Sequence, residues 1–284
     1  MNRKIVFLDV DGTLIDYEAK CPDSAKEAVR KAREAGHRVY ICTGCSKAEI
    51  EQRDLPELDG MIGGNGAYVE DGGKVVMHQG LSREETRAIA DWCMRRGLGF
   101  YLESNAGLFC DDNMIVQGPE VMVKYAMGKG ADLSHAKESS TQFLSQMIYL
   151  KPEEMDRDDV NKISFILSDY QDHLDSARDF PNLIASTWGG KGEEALYGDL
   201  GPAGITKRHA IEVLLDHLGA DAQDTVSFGD AKIDLSMFEL CSCNVAMGNG
   251  GPEIREAADY ITADVNDDGL YKAFEHLGLF EPAA

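Results

Sequence analysis

The chain has 284 residues, which is long for one compact domain, and a prior of roughly 150 residues per domain favours two. Its 28 basic and 50 acidic residues give a formal net charge of −22, which argues against nucleic acid or an anionic membrane surface as a partner. No apolar run approaches the ~20 residues needed to span a bilayer, and Asp9 and Asp11 interrupt the first apolar segment, so we expect a cytoplasmic protein without a signal peptide.

Seven cysteines are scattered along the chain, and an odd number in a chain of this length favours reduced thiols over a disulfide framework. Cys42 and Cys45 have the spacing of a zinc-binding pair, and Cys241 and Cys243 form a second close pair. However, Cys42 ends an apolar strand and Cys243 opens another. We therefore interpret both as small buried residues rather than as zinc ligands.

The first informative segment is Ile5–Leu8, four consecutive apolar residues that predict a strand buried on both faces, as in a parallel sheet. Asp9 and Asp11 follow where this strand should end. Because ligands of open α/β sheets bind at the carboxyl ends of the strands, both acids are candidates for chemistry at one site. Gly12 permits a tight turn, and the Thr13 hydroxyl can donate a hydrogen bond to a carboxylate. The alternative is an ordinary acidic loop.

A second strand, loop and helix follow. A predicted helix over 23–35 leads into a strand over 38–42, and Ser46 begins a capping box that opens another helix. Between them, Thr43 and Gly44 offer a hydroxyl and loop amides, which can hold phosphate oxygens at a helix N-terminus. A threonine in this position can also be only a capping or turn residue.

The segment after about residue 82 predicts an insertion. A strand near 61–63 and a hairpin around Asp71-Gly72-Gly73 precede it. The insertion reads as a small α+β domain, with strands expected at 100–102, 108–110, 147–150, 162–167, 183–186 and 194–197 and helices at 82–96, 120–127 and 170–178. Residues 132–141 are polar with mixed charges, and we expect an irregular, solvated segment there.

The parallel sheet is expected to resume near residue 200. Thr206 predicts the N-cap of a helix that ends at Gly219. Lys207 lies on its first turn, an unfavourable end of the helix dipole for a cation unless an anion faces it. A buried strand over 225–228 then delivers Asp230 and Asp234 to the edge where the first two acids lie. Two more strands are expected at 244–247 and 260–262.

Four segments stand out for their residue types and their places at strand ends. They are Asp9-Val10-Asp11-Gly12-Thr13, then Thr43 with Gly44, then Lys207, then Asp230 with Asp234. Together they resemble the four sequence motifs of the haloacid dehalogenase superfamily. The Asn-Gly-Ala segment at 65–67 is similar to one in its Cof-like, type IIB branch, where it precedes a cap domain. The resemblance extends over nearly the whole chain and is weakest in the insertion.

The resemblance implies a Rossmann-like core with a parallel sheet, formed by residues 1–82 and 200–284, and an inserted α+β cap, residues 83–199, that selects the substrate. It further implies a magnesium-dependent phosphomonoester hydrolase. Its substrates would be small phosphorylated metabolites, with sugar phosphates favoured and cofactor phosphates as a further class. We expect a monomer or a small homo-oligomer that has no nucleic-acid or membrane partner.

The resemblance also implies roles for the motif residues. Asp9 would attack phosphorus and form an aspartyl phosphate, and Asp11 would act first as general acid and then as general base. Thr43, Gly44 and Lys207 would bind the phosphoryl group.

A magnesium site is implied beside these residues. Mg²⁺ prefers oxygen ligands and keeps several waters, so Asp9, the main-chain carbonyl of Asp11 and Asp230 would suffice to hold it. Asp234 would lie outside this set and orient a bound water or Lys207.

Two positions depart from the Cof-like pattern. Cys45 stands where an arginine often follows Thr-Gly, and Ile233 stands where an asparagine commonly precedes the second acid of the fourth motif. One phosphate contact and one contact near the metal are therefore missing. Two other functions stay open on this evidence: phosphotransfer to a second hydroxyl, as in a sugar phosphomutase, and a non-catalytic sensor of phosphoryl groups or metal.

Overall fold

The computed structural model describes residues 3–188 and 194–283. Its strands are β1 (Ile5–Leu8), β2 (Arg38–Cys42), β3 (Gly60–Gly63), β4 (Tyr68–Asp71), β5 (Lys74–His78), β6 (Phe100–Ser104), β7 (Gly107–Cys110), β8 (Met147–Tyr149), β9 (Val160–Ile166), β10 (Leu183–Thr187), β11 (Tyr197–Pro202), β12 (Thr225–Gly229), β13 (Cys243–Ala246) and β14 (Tyr260–Ile261). Its α-helices are α1 (Asp23–Glu34), α2 (Lys47–Ile50), α3 (Arg83–Arg96), α4 (Asp112–Gly128), α5 (Leu133–Ser145), α6 (Tyr170–Asp179), α7 (Lys207–Leu218), α8 (Leu235–Phe238), α9 (Pro252–Ala257) and α10 (Gly269–His276).

The chain divides into two compact units. The first unit contains the residues up to Gly44, Arg53–His78, and the residues from Thr206 onward, and the second contains Cys45–Gln52 and Gln79–Ile205. These divisions fall a few residues from the predicted boundaries at 82/83 and 199/200. The short segment that carries α2 also groups with the second unit, although the sequence placed it in the first. Residues 189–193 of the predicted cap lie outside the described residues.

The first unit is built on an eight-stranded sheet in the order β14-β13-β12-β1-β2-β3-β4-β5. Strand β1 lies inside it and pairs in parallel with β12 on one side and β2 on the other. All four residues of β1 are buried, as its unbroken apolar sequence predicts. The last two strands form the predicted antiparallel hairpin. The expected α/β fold with a parallel sheet is thus confirmed.

Helix α7 packs one apolar side against this sheet. Thr206 is its N-cap and accepts a hydrogen bond from the His209 N–H at 3.1 Å, and Gly219 ends it in the left-handed conformation, as predicted. Ile211 and Leu214 are fully buried in the core of the unit. Because the cap fixes where the helix begins, it also fixes the position of Lys207 on the first turn.

The second unit contains a six-stranded sheet in the order β10-β11-β9-β6-β7-β8, antiparallel except where β7 pairs with β8. One of its cores packs Trp92 of α3 edge-on against Phe165 of β9. Helix α3, predicted over 82–96, begins with a capping box at Ser82 and ends at Gly97 in the left-handed conformation. The expected α+β insertion is therefore confirmed.

Two expectations for this unit were wrong. The strand expected at 194–197 begins only at Tyr197 and continues to Pro202, because residues 197–200 pair with β9 and residues 198–202 pair with β10. The segment 132–141, expected to be irregular, belongs to α5. Its N-cap Asp132 accepts from two main-chain N–H groups, and Ala136 and Ser140 bury one side of the helix, so tertiary packing outweighs the polar sequence.

The structure agrees with the expectations for the cysteines only in part. All seven cysteines are free thiols; Cys42 is buried, as expected, but Cys243 is only half-buried. Among residues 3–188 and 194–283, no helix combines the length and apolar character needed to cross a membrane.

The second unit buries a charged group that should control its stability. The Lys162 Nζ lies 3.0 Å from Glu103 Oε1 and 3.8 Å from Asp199 Oδ2, and all three side chains are at most 7% exposed. The Ser164 hydroxyl also donates to Glu103. Removing one partner of a buried ion pair leaves an uncompensated charge, which is strongly destabilising.

We expect Lys162→Met to lower the free energy of unfolding of this unit by about 3–5 kcal/mol, because Glu103 loses its cation. Urea denaturation measures the change. Lys124→Met is the control, since its ion pair with Glu194 is exposed and should matter little. Adding Glu103→Gln to Lys162→Met should recover much of the lost stability. If Lys162→Met and Lys124→Met were equally stable, the assignment would be contradicted.

Candidate active site

Two acids meet at the carboxyl ends of β1 and β12. Asp9 follows β1, and its main-chain N–H donates to the carbonyl of Phe228 at 3.0 Å. Asp230 follows β12 directly, and both aspartates are buried. Because the two strands are parallel neighbours, their ends lie at the same edge of the sheet, as the sequence predicted.

Lys207 joins Asp9 to Asp234. Its Nζ lies 2.7 Å from Asp9 Oδ1 and 2.6 Å from Asp234 Oδ1, and the lysine is only 1% exposed. The second oxygen of Asp234 accepts the main-chain N–H groups of Asp230 and Ala231 at 3.2 and 3.1 Å. Two carboxylates, those of Asp9 and Asp234, therefore face the ammonium and offset the unfavourable helix dipole at the first turn of α7. Asp234 is held between this ammonium and the loop after β12.

The cluster carries more negative than positive charge. Ligand oxygens of Asp9, Asp230 and Asp234 all lie within 4.8 Å of one another, and the ammonium of Lys207 bonds to Asp9 and Asp234. Burial, together with the charge of Asp234, raises the pKa of Asp9 well above its usual range. Burial and Asp234 also raise the pKa of Asp230 to about 7. Carboxylates held this close suit a hard divalent cation with oxygen ligands, so these residues fit Mg²⁺.

Two hydroxyl groups orient Asp230. The Thr13 hydroxyl donates to its Oδ1 at 3.1 Å, and the Tyr17 hydroxyl donates to its Oδ2. Gly12 allows the close approach: its φ is +86°, and a Cβ there would lie 2.6 Å from the Tyr17 hydroxyl and 2.7 Å from Asp230 Cγ. The Asn249 amide donates to the Gly12 carbonyl at 2.8 Å. The loop after β1 therefore requires glycine at this position.

Asp11 does not join the buried cluster. Its carboxylate Oδ1 lies 2.7 Å from the Nη1 of Arg53, and its side chain is 45% exposed, against 10% for Asp9. Asp9 and Asp11 thus face different cations although only one residue separates them. Asp9 is therefore a buried carboxylate, whereas Asp11 is partly exposed to solvent.

The second predicted phosphate loop lies at the end of β2. Leu8 pairs with Ile41 in the register of β1 and β2, so Thr43 begins its loop beside the one that carries Asp9. Thr43 is buried, and a Cβ on Gly44 would lie 2.9 Å from the Asn65 side-chain oxygen.

The two departures from the expected pattern have different surroundings. Cys45 is half-buried, and Ile233 is 41% exposed. Neither side chain supplies an oxygen ligand. Sequence reasoning also missed Tyr17 and Arg53, which contact two of the predicted residues. No local pattern marks either one, because each is brought to the site by the path of its loop.

A sequence profile of haloacid dehalogenase-like hydrolases matches residues 6–274, which is nearly the whole chain. The chain belongs to this family. The match includes all seven predicted site residues, and the expected superfamily is confirmed. Relatives named as phosphatases match this hydrolase along almost its full length.

Similar proteins match along almost the whole chain. The Bacillus subtilis protein YkrA is 28% identical over 288 residues, covering 99% of this chain and 100% of that protein. The 5-amino-6-(5-phospho-D-ribitylamino)uracil phosphatase YwtE of Bacillus subtilis is 26% identical and covers 94% of this chain and 95% of its own. Among solved structures, the subclass IIB sugar phosphatase BT4131 is 27% identical, with a TM-score of 0.76, covering 97% of this chain and 99% of its own.

Proposed function

We propose that this hydrolase is a magnesium-dependent phosphomonoester hydrolase that works through an aspartyl phosphate. The observation that carries the proposal is the buried bridge of Lys207 between Asp9 and Asp234, beside Asp230. It provides a carboxylate nucleophile, a cation for the phosphoryl group and oxygen ligands for a metal within one small volume.

The reaction has two halves. In the first, a carboxylate oxygen of Asp9 forms a bond to phosphorus as the bond to the ester oxygen breaks, and protonated Asp11 gives its proton to that leaving oxygen. In the second, the Asp11 carboxylate takes a proton from water while the water oxygen bonds to phosphorus. The bond between phosphorus and Asp9 then breaks, which releases inorganic phosphate and restores both acids.

The remaining residues hold the phosphoryl group and its charge. Lys207, the Thr43 hydroxyl and the main-chain amides near Gly44 are the proposed donors to the phosphoryl oxygens. Asp234 is a positioning residue, because its oxygens already accept from Lys207 and from two main-chain N–H groups.

The proposed ligands of Mg²⁺ are Asp9, the main-chain carbonyl of Asp11, and Asp230. When bound, the ion offsets negative charge on the phosphoryl oxygens and so lets an anionic ester approach the carboxylates. Thr13 and Tyr17 hold Asp230 in place by donating to its two oxygens.

The favoured substrates are small phosphate esters of polyhydroxylated compounds, and above all sugar phosphates, with cofactor phosphates as a further class. Two relatives support this choice: one is a sugar phosphatase, and the other is named for a phosphorylated ribityl compound. We assign substrate selection to the second unit, since all seven predicted site residues lie in the first.

We also place the protein in the cytoplasm. Its seven cysteines are free thiols, which suits a reducing compartment.

A screen of phosphate esters with and without Mg²⁺ tests the proposal. We expect metal-dependent release of inorganic phosphate, with sugar phosphates among the best substrates. Isomerised product without free phosphate would instead indicate a mutase. Binding without turnover across a broad panel would indicate a sensor, the alternative that Cys45 and Ile233 left open.

Asp230→Ala should lower the affinity for Mg²⁺ by at least about 10- to 100-fold while the protein stays folded, because a metal ligand is removed. Isothermal titration with Mg²⁺ measures the affinity, and thermal denaturation checks the fold. Asp216→Ala is the matched control, since Asp216 is an exposed aspartate of α7. Wild-type turnover by Asp230→Ala in excess EDTA would contradict the assignment.

A further inference from the structure

The first unit places a second cation beside the reaction chemistry. Lys207 bonds to Asp9 and Asp234, whereas Arg53 bonds to Asp11, with 2.7 Å between Nη1 and Oδ1. Arg53 follows α2 and the turn after it, 42 residues beyond Asp11 in the chain. Its side chain is 20% exposed, so the guanidinium is largely removed from bulk water.

The backbone on the C-terminal side of Asp11 is held firmly. The Gly12 N–H donates to the Ile15 carbonyl at 2.7 Å, and the Gly12 carbonyl accepts from Asn249 at 2.8 Å. Because the backbone is fixed, Asp11 can move its carboxylate only by rotating its side-chain torsions. An arginine contact at 2.7 Å restricts them, because a charge-assisted hydrogen bond is both short and directional.

We propose that Arg53 is a positioning residue for Asp11: its guanidinium holds the carboxylate correctly turned for the half of the reaction in which Asp11 accepts a proton from water. This inference rests on the proposed function, because it gives Asp11 the acid–base role. A general base must lie within hydrogen-bond reach of the proton that it takes, and the 2.7 Å contact with the guanidinium fixes where the Asp11 carboxylate lies. With a leaving group that needs little protonation, the position of Asp11 matters most in the second half.

Arg53→Gln isolates the effect. With p-nitrophenyl phosphate and Mg²⁺, the first turnover should keep its rate within about twofold, because nitrophenolate leaves with little protonation. The steady-state rate should fall about 10- to 100-fold, since a displaced base slows hydrolysis of the aspartyl phosphate. The fraction of enzyme that carries phosphate should rise. Arg53→Lys should recover part of the rate, because it restores a cation without the planar fork.

Arg30→Gln is the matched control. Arg30 lies on α1 and pairs with Glu27 and Glu34 on the exposed surface, so its loss should leave both phases unchanged. Thermal denaturation of every variant shows whether the fold is intact. If Arg53→Gln unfolds, Arg53→Lys still tests the proposal. Its ammonium holds Asp11 less well than the guanidinium does, so more of the enzyme should carry phosphate in the steady state than in the wild-type protein.

A double-variant cycle gives the decisive comparison. Asp11→Asn combined with Arg53→Gln should be no slower than Asp11→Asn alone, because Arg53 acts through Asp11. If Arg53→Gln lowered the steady-state rate by the same factor in the wild-type protein and in Asp11→Asn, and also raised the KM for the ester, the proposal would be overturned. Arg53 would then be a phosphate ligand. An unchanged steady-state rate in Arg53→Gln would also overturn it. Failure of the proposed function looks different: Asp9→Asn would then turn over normally.

Discussion

Asp9→Asn is expected to lose turnover of phosphate esters by on the order of 10⁴-fold or more, because an amide is a poor nucleophile toward phosphorus. The substitution nearly preserves the shape of the side chain, and Lys207 keeps its bond to Asp234 at 2.6 Å, so the fold should persist. Phosphate release over hours measures the residual rate, and denaturation measures the stability.

Asp216→Asn serves as the control, because it makes the same chemical change on the exposed surface of α7. It should retain full activity. A phosphoenzyme that still forms in Asp9→Asn would assign the nucleophile to another residue.

Asp11→Asn is expected to behave differently, because it leaves the nucleophile in place. With p-nitrophenyl phosphate and Mg²⁺, the leaving group needs little protonation, so the first half of the reaction should proceed. Hydrolysis of the aspartyl phosphate still needs a base, and general acid–base catalysis is typically worth ~10²–10⁴-fold. The variant should therefore release a burst approaching one nitrophenolate per active site, followed by a slow phase.

Mass spectrometry of acid-quenched Asp11→Asn identifies the phosphorylated residue. Phosphate should be found on the peptide that contains Asp9, and fragmentation should place it on that side chain. The double variant Asp9→Asn with Asp11→Asn is the control and should show neither burst nor phosphate. A sample of Asp11→Asn with no covalent phosphate, or with phosphate on another carboxylate, would refute the division of roles between the two acids.

Local patterns predicted most of the first unit. The unbroken apolar run of β1, the capping residue Thr206 and the glycine that ends α7 are signals that act over a few residues, and the structure has each of them. The meeting of Asp9 with Asp230 was also predictable, because the ends of neighbouring parallel strands share an edge.

The sequence did not reveal contacts that depend on long-range packing. Arg53 looks like any surface arginine until the loop that carries it lies beside Asp11. Tyr17 is likewise an ordinary loop residue until its hydroxyl reaches Asp230. Helix α5 was missed because its polar surface hides a narrow buried side at Ala136 and Ser140.

The position of β1 inside the first sheet constrains how the protein can fold during synthesis. Ile5 pairs with Arg38 of β2 on one side but with Thr225 of β12, 220 residues along the chain, on the other. At a typical 5–20 residues per second, a ribosome needs on the order of 10 to 40 s to supply that second partner.

During that interval, β1 has an open edge whose main-chain groups lack their final partners. Such an edge can pair with other chains, so a slowly translated copy is exposed to aggregation. The second unit, whose strands all lie between residues 100 and 202, can complete its own sheet before β12 emerges. Closure of the first sheet is therefore a late step in the synthesis of the chain, and the acids at the ends of β1 and β12 meet only then.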